Sequence, residues 1–126
     1  MRSGWLFLFI FPILTACGGV LQYEHDVTTQ APPTVIRIEP IQGPPGTTVT
    51  IYGFGFSFIP QNNIISIGEW SAVAENYTLL DNTGSAEIES ISFRVPDAIK
   101  TGDYSIIVVV HDNVSNANIT FTVTAD

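Results

Sequence analysis

Residues 45–56 have the sequence Pro-Gly-Thr-Thr-Val-Thr-Ile-Tyr-Gly-Phe-Gly-Phe, and this stretch decides the fold class. Val49 and Ile51 alternate with polar residues at the two-residue period of a β-strand that buries one face. We therefore predict that Val49 and Ile51 point into a core while Thr48, Thr50 and Tyr52 point outward.

Glycine and proline mark both ends of this predicted strand. Gly46 follows two prolines, in a turn where it can take a positive φ. Gly53 and Gly55 indicate a bend or bulge at which one backbone approaches another closely. Phe56, directly after the bend, is then predicted to fill the core.

The rest of the chain has the same β-type composition. After residue 16, Ile and Val together number 25 while Leu numbers 3, and β-branched residues favour half-buried strands over helices. Further short alternating runs predict strands at Val35–Glu39, Ile64–Ile67, Ile88–Val95, Tyr104–Val110 and Asn118–Val123.

Tyr104–Val110 is apolar on both faces, which predicts a central strand, and Gly102-Asp103 before it predicts a turn. Pro96 interrupts the chain between two of these runs. About seven short strands in roughly 90 residues are typical of an immunoglobulin-like β-sandwich, so the predicted fold class is all-β.

The composition excludes several classes of function. The chain has 126 residues, room for one folded domain, and its 12 acidic against 4 basic side chains give a net charge of -8. This acidic balance lacks the basic surface of a nucleic-acid-binding protein. Its single cysteine excludes an intramolecular disulfide and a cysteine-rich zinc site.

The first sixteen residues are typical of a cleaved signal peptide. Arg2 is followed by a ten-residue apolar run from Trp5 to Leu14, too short to span a bilayer, and then by small residues. Leu14-Thr15-Ala16-Cys17 resembles the lipobox of bacterial lipoproteins. That resemblance implies cleavage before Cys17, a diacylglyceryl group on its thiol and an acyl chain on its amino group. The alternatives are a buried cysteine or a stray thiol beside an ordinary cleavage site.

Three segments follow from this assignment: a signal peptide at 1–16, the lipidated cysteine with a flexible tether at 17–32, and a folded domain at 33–126. Removal of Arg2 would leave 3 basic and 12 acidic side chains, a net charge of -9. Gly18 stands where proteobacterial lipoproteins retained in the inner membrane carry Asp. The expected location is therefore the bacterial cell envelope, at the outer membrane.

Several motifs occur in one order that resembles the IPT/TIG domain, an immunoglobulin-like fold of the early-set type. They are Pro40 with Gly43, the stretch 45–56, Ile65–Gly68, Val95-Pro96, Gly102–Tyr104 and Ser115-Asn116. The resemblance implies structural roles for Gly46, Gly53, Gly55, Phe56, Pro96, Gly102 and Tyr104. Such domains in bacterial surface proteins serve as spacers or contribute to protein or carbohydrate recognition.

The residues offer little for catalysis. His111 lies beside Asp112, but adjacent strand residues face opposite sides of a sheet, and no nucleophile elbow or phosphate-binding loop is present. Acidic turns at Asp81–Gly84 and Asp112-Asn113 lack the calcium-loop pattern, and Asx turns explain the same residues without a metal. We therefore expect a protein that is not an enzyme and has no cofactor or metal; an unrecognised carboxylate pair is the enzymatic alternative.

Aromatic residues are the candidate binding surface: Trp70, Tyr77, Phe54 and Phe58. An exposed tryptophan could stack on a sugar or anchor a protein partner. The alternative is that Trp70 folds over the edge of the sandwich and Phe54 packs at its end. The predicted function is a lipid-anchored, non-enzymatic envelope protein that binds a protein or a glycan; the alternative is a structural accessory subunit of an envelope assembly.

Overall fold

The computed structural model describes residues 31–80 and 84–126. Within them the chain forms ten strands and one turn of 3-10 helix, Pro60–Asn62. The strands are β1 (Thr34–Glu39), β2 (Gln42–Gly43), β3 (Thr48–Phe54), β4 (Asn63–Ile67), β5 (Trp70–Val73), β6 (Asn76–Leu79), β7 (Glu89–Arg94), β8 (Gly102–Val110), β9 (Asn113–Val114) and β10 (Thr120–Val123).

The strands form two sheets. The larger sheet has the order β2-β10-β8-β4-β5, with β9 paired to β8, and the smaller sheet has the order β1-β3-β7-β6. All pairs are antiparallel except β2 with β10. This two-sheet architecture confirms the predicted immunoglobulin-like sandwich.

The core lies between the two sheets, as the alternation in each strand requires. Val49 and Ile51 of β3 are fully buried, and their neighbours Thr48 and Tyr52 are exposed or half-buried. The core contains seventeen buried apolar residues: Val35, Ile38, Val49, Ile51, Phe56, Ile65, Ile67, Ala74, Ile91, Phe93, Val95, Ile99, Ile106, Val108, Val110, Phe121 and Val123.

Strand β8 is the central strand of the larger sheet. It pairs with β4 on one side, and on the other with β10 along its first half and β9 at its end. The predicted turn at Gly102-Asp103 is wrong, because these residues are the first two of β8 and pair with β10. The connection is made instead by residues 95–101, which lie between β7 and β8.

The glycines of the deciding stretch have the predicted roles. Gly46 has a φ of 91° in the turn before β3. Gly53 lies against the Thr34 carbonyl of the neighbouring strand, where a side chain would collide with the backbone. Gly55 has a φ of 82°, and a Cβ there would lie 2.6 Å from the Pro32 carbonyl oxygen. Phe56 follows and is buried in the core.

Strands β5 and β6 have no counterpart among the strands predicted from the sequence. Both are edge strands, and most of their residues are exposed, so they lack a clear buried alternation. Strands of two residues, β2 and β9, were missed as well, because two residues carry no period.

Candidate functional site

An open cleft of about 470 Å³ lies where β4 turns into β5. Its walls are Gly68, Glu69, Trp70, Lys100 and Tyr104. The two-residue turn Gly68-Glu69 joins β4 to β5, and Gly68 has a φ of 66°. The cleft therefore lies at the open edge of the sandwich, between a tight hairpin and the connection that precedes β8.

Trp70 is the first residue of β5 and is 39% exposed. It pairs with Ile67, which is fully buried, so Trp70 lies on the inner side of the sheet, at the margin of the core. Trp70 therefore stands between the two alternatives, since its side chain is partly exposed and lines the cleft from the margin of the core.

Tyr104 forms the opposite wall and is held rigidly. Its hydroxyl donates a hydrogen bond of 2.7 Å to the Lys100 carbonyl, as in the tyrosine corner of immunoglobulin-like sandwiches. Gly68 lies against its ring, where a Cβ would come within 2.5 Å of Cδ1. This bond fixes the Lys100 backbone and so places the lysine side chain at the cleft.

The four candidate aromatic residues do not form one surface. Phe54 and Phe58 belong to the end of β3 and the β3–β4 connection, at the opposite end of β4 from Trp70. Tyr77 lies in β6, in the smaller sheet, and packs partly buried against the core. Of the four, only Trp70 lines the cleft.

The Tyr77 hydroxyl donates a hydrogen bond of 2.8 Å to Oε2 of Glu89, while Oε1 of the same carboxylate accepts one from the Phe56 amide. Burial, followed by the hydrogen bond to Glu89 and the charge of that carboxylate, raises the pKa of Tyr77 to about 12. Tyr77 therefore helps to hold the β3–β4 connection through a shared carboxylate.

The sequence did not reveal Gly68, Glu69 and Lys100 as cleft residues. Two signals could have found them: the Gly-Glu pair between two apolar runs, typical of a two-residue hairpin, and the spacing of Lys100 four residues before Tyr104.

Some of the other predicted residues lie outside the described part of the chain. Cys17 and the 1–16 leader lie outside the described residues, as does the tether to residue 30. His111 is exposed in the turn between β8 and β9, with a φ of 56°. Within residues 31–80 and 84–126, no group of three or more His, Cys, Asp or Glu side chains could hold a metal ion.

A family model for the IPT/TIG domain matches residues 33–123. The chain belongs to the IPT/TIG family. The match covers β1 to β10, so the tyrosine corner and the cleft are part of the IPT/TIG domain itself. A search of curated proteins finds no match.

The solved structures similar to this IPT/TIG chain include two at 22% sequence identity. One is gamma-CGTase from alkalophilic Bacillus clarkii, with a TM-score of 0.57 over 74% of this chain and 12% of that one. The other is SGBP-B of the mixed-linkage glucan utilization locus of Bacteroides ovatus, in complex with a mixed-linkage heptasaccharide. Its TM-score is 0.50, over 73% of this chain and 22% of that one. At this identity the two likenesses show the fold, and the chain spans less than a quarter of either structure.

No helix among the described residues is long and apolar enough to cross a membrane.

Proposed function

We propose that this protein is a non-enzymatic binding module, lipid-anchored in the bacterial cell envelope, and that it recognises a protein or a glycan through the Trp70 cleft. Domains of this family are typically non-catalytic. The observation that carries the proposal is the partly exposed indole of Trp70 in an open cleft whose opposite wall is fixed by the tyrosine corner.

The cleft has the parts that a binding site needs. The Trp70 ring offers a flat apolar surface, Lys100 a hydrogen-bond donor and Glu69 an acceptor. Because Gly68 and the hydroxyl bond fix Tyr104, little conformational freedom would be lost there on binding. This combination suits a pyranose ring or an aliphatic side chain on the rim of a protein partner.

Trp70 also provides the readout. The chain contains two tryptophans, Trp5 and Trp70, and cleavage before Cys17 would remove Trp5, so Trp70 would be the sole indole of the mature protein. Titration with mixed-linkage glucan oligosaccharides should shift and protect its fluorescence if the ligand is a glycan. Trp70→Ala should abolish binding measured by calorimetry, whereas Phe58→Ala, at the other end of β4, should leave it unchanged. Binding that survives Trp70→Ala would contradict the cleft assignment.

The lipid anchor is proposed from the lipobox-like motif that ends at Cys17. Three acyl chains on one residue would hold the protein firmly, since two are enough for stable anchoring. We further propose the outer membrane as its location, because Gly18 lacks the retention signal. Cells fed labelled palmitate should label the wild-type chain and leave Cys17→Ala unlabelled. A wild-type chain that takes up no palmitate would refute the anchor.

An accessory subunit of an envelope assembly is the second candidate, and one feature of the larger sheet favours it. Four aliphatic side chains lie side by side across its outer face, where Val73 pairs with Ile64, Ile64 with Val109, and Val109 with Val114. Val73, Ile64 and Val114 are exposed. We call these four residues the apolar row.

The two candidates predict different effects of the same substitutions. If the protein is a subunit, Val114→Asp should abolish stoichiometric co-purification with an envelope partner, and no sugar should perturb Trp70 fluorescence. If it is a ligand-binding module, Val114→Asp should leave sugar binding intact.

A further inference from the structure

We infer that the end of the domain nearest the tether makes a second, direct contact with the lipid bilayer, through exposed apolar side chains at a rigid loop. This inference rests on the lipid anchor proposed above. The side chains are Phe58 and Ile59 of the β3–β4 connection, with Leu79 and Ile88 beside β6 and β7. We call these four residues the apolar tip.

All four side chains of the apolar tip are exposed. Phe58 is 75% exposed and Leu79 is 70% exposed, while Ile59 and Ile88 are exposed by 46% and 40%. Large apolar side chains that cluster on a surface mark an interaction site. No Asp, Glu, Lys, Arg or His occurs anywhere from Pro40 to Gly68, although the whole chain carries 12 acidic side chains. The loop that bears Phe58 therefore brings no charge of its own to the contact.

A buried polar network holds this loop in place. Asn63, which is fully buried, accepts a hydrogen bond from the Ser57 amide and donates to the carbonyls of Ser57, Ile59 and Pro60. Glu89 accepts a hydrogen bond from the Phe56 amide on the other side. The loop thus exposes Phe58 and Ile59 from a fixed backbone, and insertion would need little ordering.

The two connections that carry the tip belong to one end of the sandwich. The Ile88 amide donates to the Gly53 carbonyl, and Leu79 and Gly53 both pair with Glu89. The Phe56 amide, two residues before Phe58, donates to the side chain of the same Glu89. These contacts place Phe58, Leu79 and Ile88 around the same end of β3.

The chain enters the domain at this end. Pro32 and Pro33 lie against Gly55, three residues before Phe58. Ala31 is fourteen positions after Cys17, a separation that spans about 50 Å at most. A lipid on Cys17 therefore keeps the end that carries the apolar tip within that distance of the bilayer. Since burial of a large apolar side chain is favourable, this end should settle into the membrane surface. The Trp70 cleft, at the other end of β4, would then point away from the bilayer.

A fluorescent label at the tip tests this inference. The full-length chain carrying Ile59→Cys, purified from membranes, is labelled with a nitrobenzoxadiazole dye and reconstituted in phosphatidylethanolamine–phosphatidylglycerol vesicles that contain spin-labelled phosphatidylcholine. Acylated Cys17 would not react with the dye. We expect a blue shift and strong quenching of the label at Ile59. A matched label at Ile41→Cys, 65% exposed at the other end of the sandwich, should stay in water.

Substitution then identifies the side chain responsible. Phe58→Ser should remove the quenching at position 59, while Ile41→Ser should leave it unchanged. Equal quenching at positions 59 and 41, or none at either, would overturn the inference while leaving the lipid anchor in place. A chain that carries no palmitate and takes up the dye at Cys17 would refute the anchor itself, and this inference with it.

Discussion

The contact between Gly68 and Tyr104 shows how much one residue controls at the candidate site. Gly68 takes a left-handed φ in the β4–β5 turn and at the same time lies against the ring that forms one wall of the cleft. Any residue with a side chain would be strained by this φ and would collide with the Tyr104 ring. The shape of the cleft therefore depends on the absence of a single side chain.

We predict that Gly68→Ala lowers the free energy of unfolding by about 3 kcal/mol, from left-handed strain together with overpacking against Tyr104. Gly84→Ala is the matched control, since Gly84 has a φ of 83° but nothing within 4 Å of the added Cβ. Gly84→Ala should lower the free energy of unfolding by about 1 kcal/mol, from the left-handed strain alone. Urea unfolding of both variants measures the difference, and equal losses would contradict the contact with Tyr104.

The phenol of Tyr77 makes stability depend on pH in the alkaline range. The folded pKa of about 12 exceeds the ordinary value of 10.0, so the folded state keeps a proton that the unfolded state releases. The contribution of Tyr77 is thus fully present below pH 10 and is lost as pH rises towards 12. Tyr77→Phe should lower stability by about 1 kcal/mol at pH 7, through the lost hydrogen bond, and flatten the decline above pH 10.

Tyr52→Phe provides the comparison, because it keeps the ring that stacks 3.9 Å from the Arg37 guanidinium and removes only the hydroxyl. It therefore controls for the loss of a phenol hydroxyl outside the contact with Glu89. If Tyr77→Phe declines above pH 10 as steeply as the wild type, the raised pKa of Tyr77 is not coupled to folding.

Among the secondary-structure elements and their connections, the β3–β4 connection combines exposed side chains with a firmly held backbone. It exposes Phe58 and Ile59, yet its backbone is hydrogen-bonded to the fully buried side chain of Asn63. Asn63 is the first residue of β4, so the strand itself carries the group that folds the loop before it.

We predict that Asn63→Ala lowers the free energy of unfolding by about 3 kcal/mol, because buried backbone groups of the loop lose their partner. It should also make residues 57–60 the first site of cleavage in limited proteolysis. Asn62→Ala, one residue earlier, should change stability by less than about 0.5 kcal/mol. Cleavage elsewhere in Asn63→Ala would contradict the role of Asn63 in this loop.

At the scale of the whole molecule, one side chain joins the two sheets outside the apolar core. The pairing of β1 with β3 is interrupted between Val35 and Arg37. Asn116, in the connection between β9 and β10, accepts a hydrogen bond from the Val35 amide and donates one to the Val35 carbonyl. Asn116 thus bonds the Val35 backbone as a neighbouring strand would, and it links β1 of the smaller sheet to the connection between β9 and β10 of the larger sheet.

Asn116→Ala should lower the free energy of unfolding by about 2–3 kcal/mol, since both backbone groups of Val35 lose their partner. Hydrogen exchange at Val35 should accelerate at the same time. Asn118→Ala, which removes only an exposed acceptor for Asn116, should cost about 0.5 kcal/mol. Equal losses in the two variants would mean that Asn116 does not link the sheets.

Local sequence patterns predict much of this fold. The alternation in 45–56 sets the buried face of β3, and the glycines around it are required wherever a backbone passes too close for a side chain, as at Gly53 and Gly55. The apolar run Tyr104–Val110 correctly predicted the central strand, which pairs on both edges, although Ile107 and Val109 on its outer face are only half-buried. The order of these motifs was enough to indicate the IPT/TIG family.

The sequence did not predict which residues come together at the candidate site. Trp70 was found as an aromatic residue, but Lys100 and Tyr104 reach it only because β4 and β8 pair, which joins residues more than thirty positions apart. Exposed edge strands such as β5 follow no buried period, so local pattern does not predict them. Local sequence was enough for the six strands with a buried alternation, for their inward faces and for the family, since these depend on neighbours along the chain. The tertiary structure alone decided which aromatic residue lines the cleft and which end exposes the apolar tip, since both depend on long-range pairing.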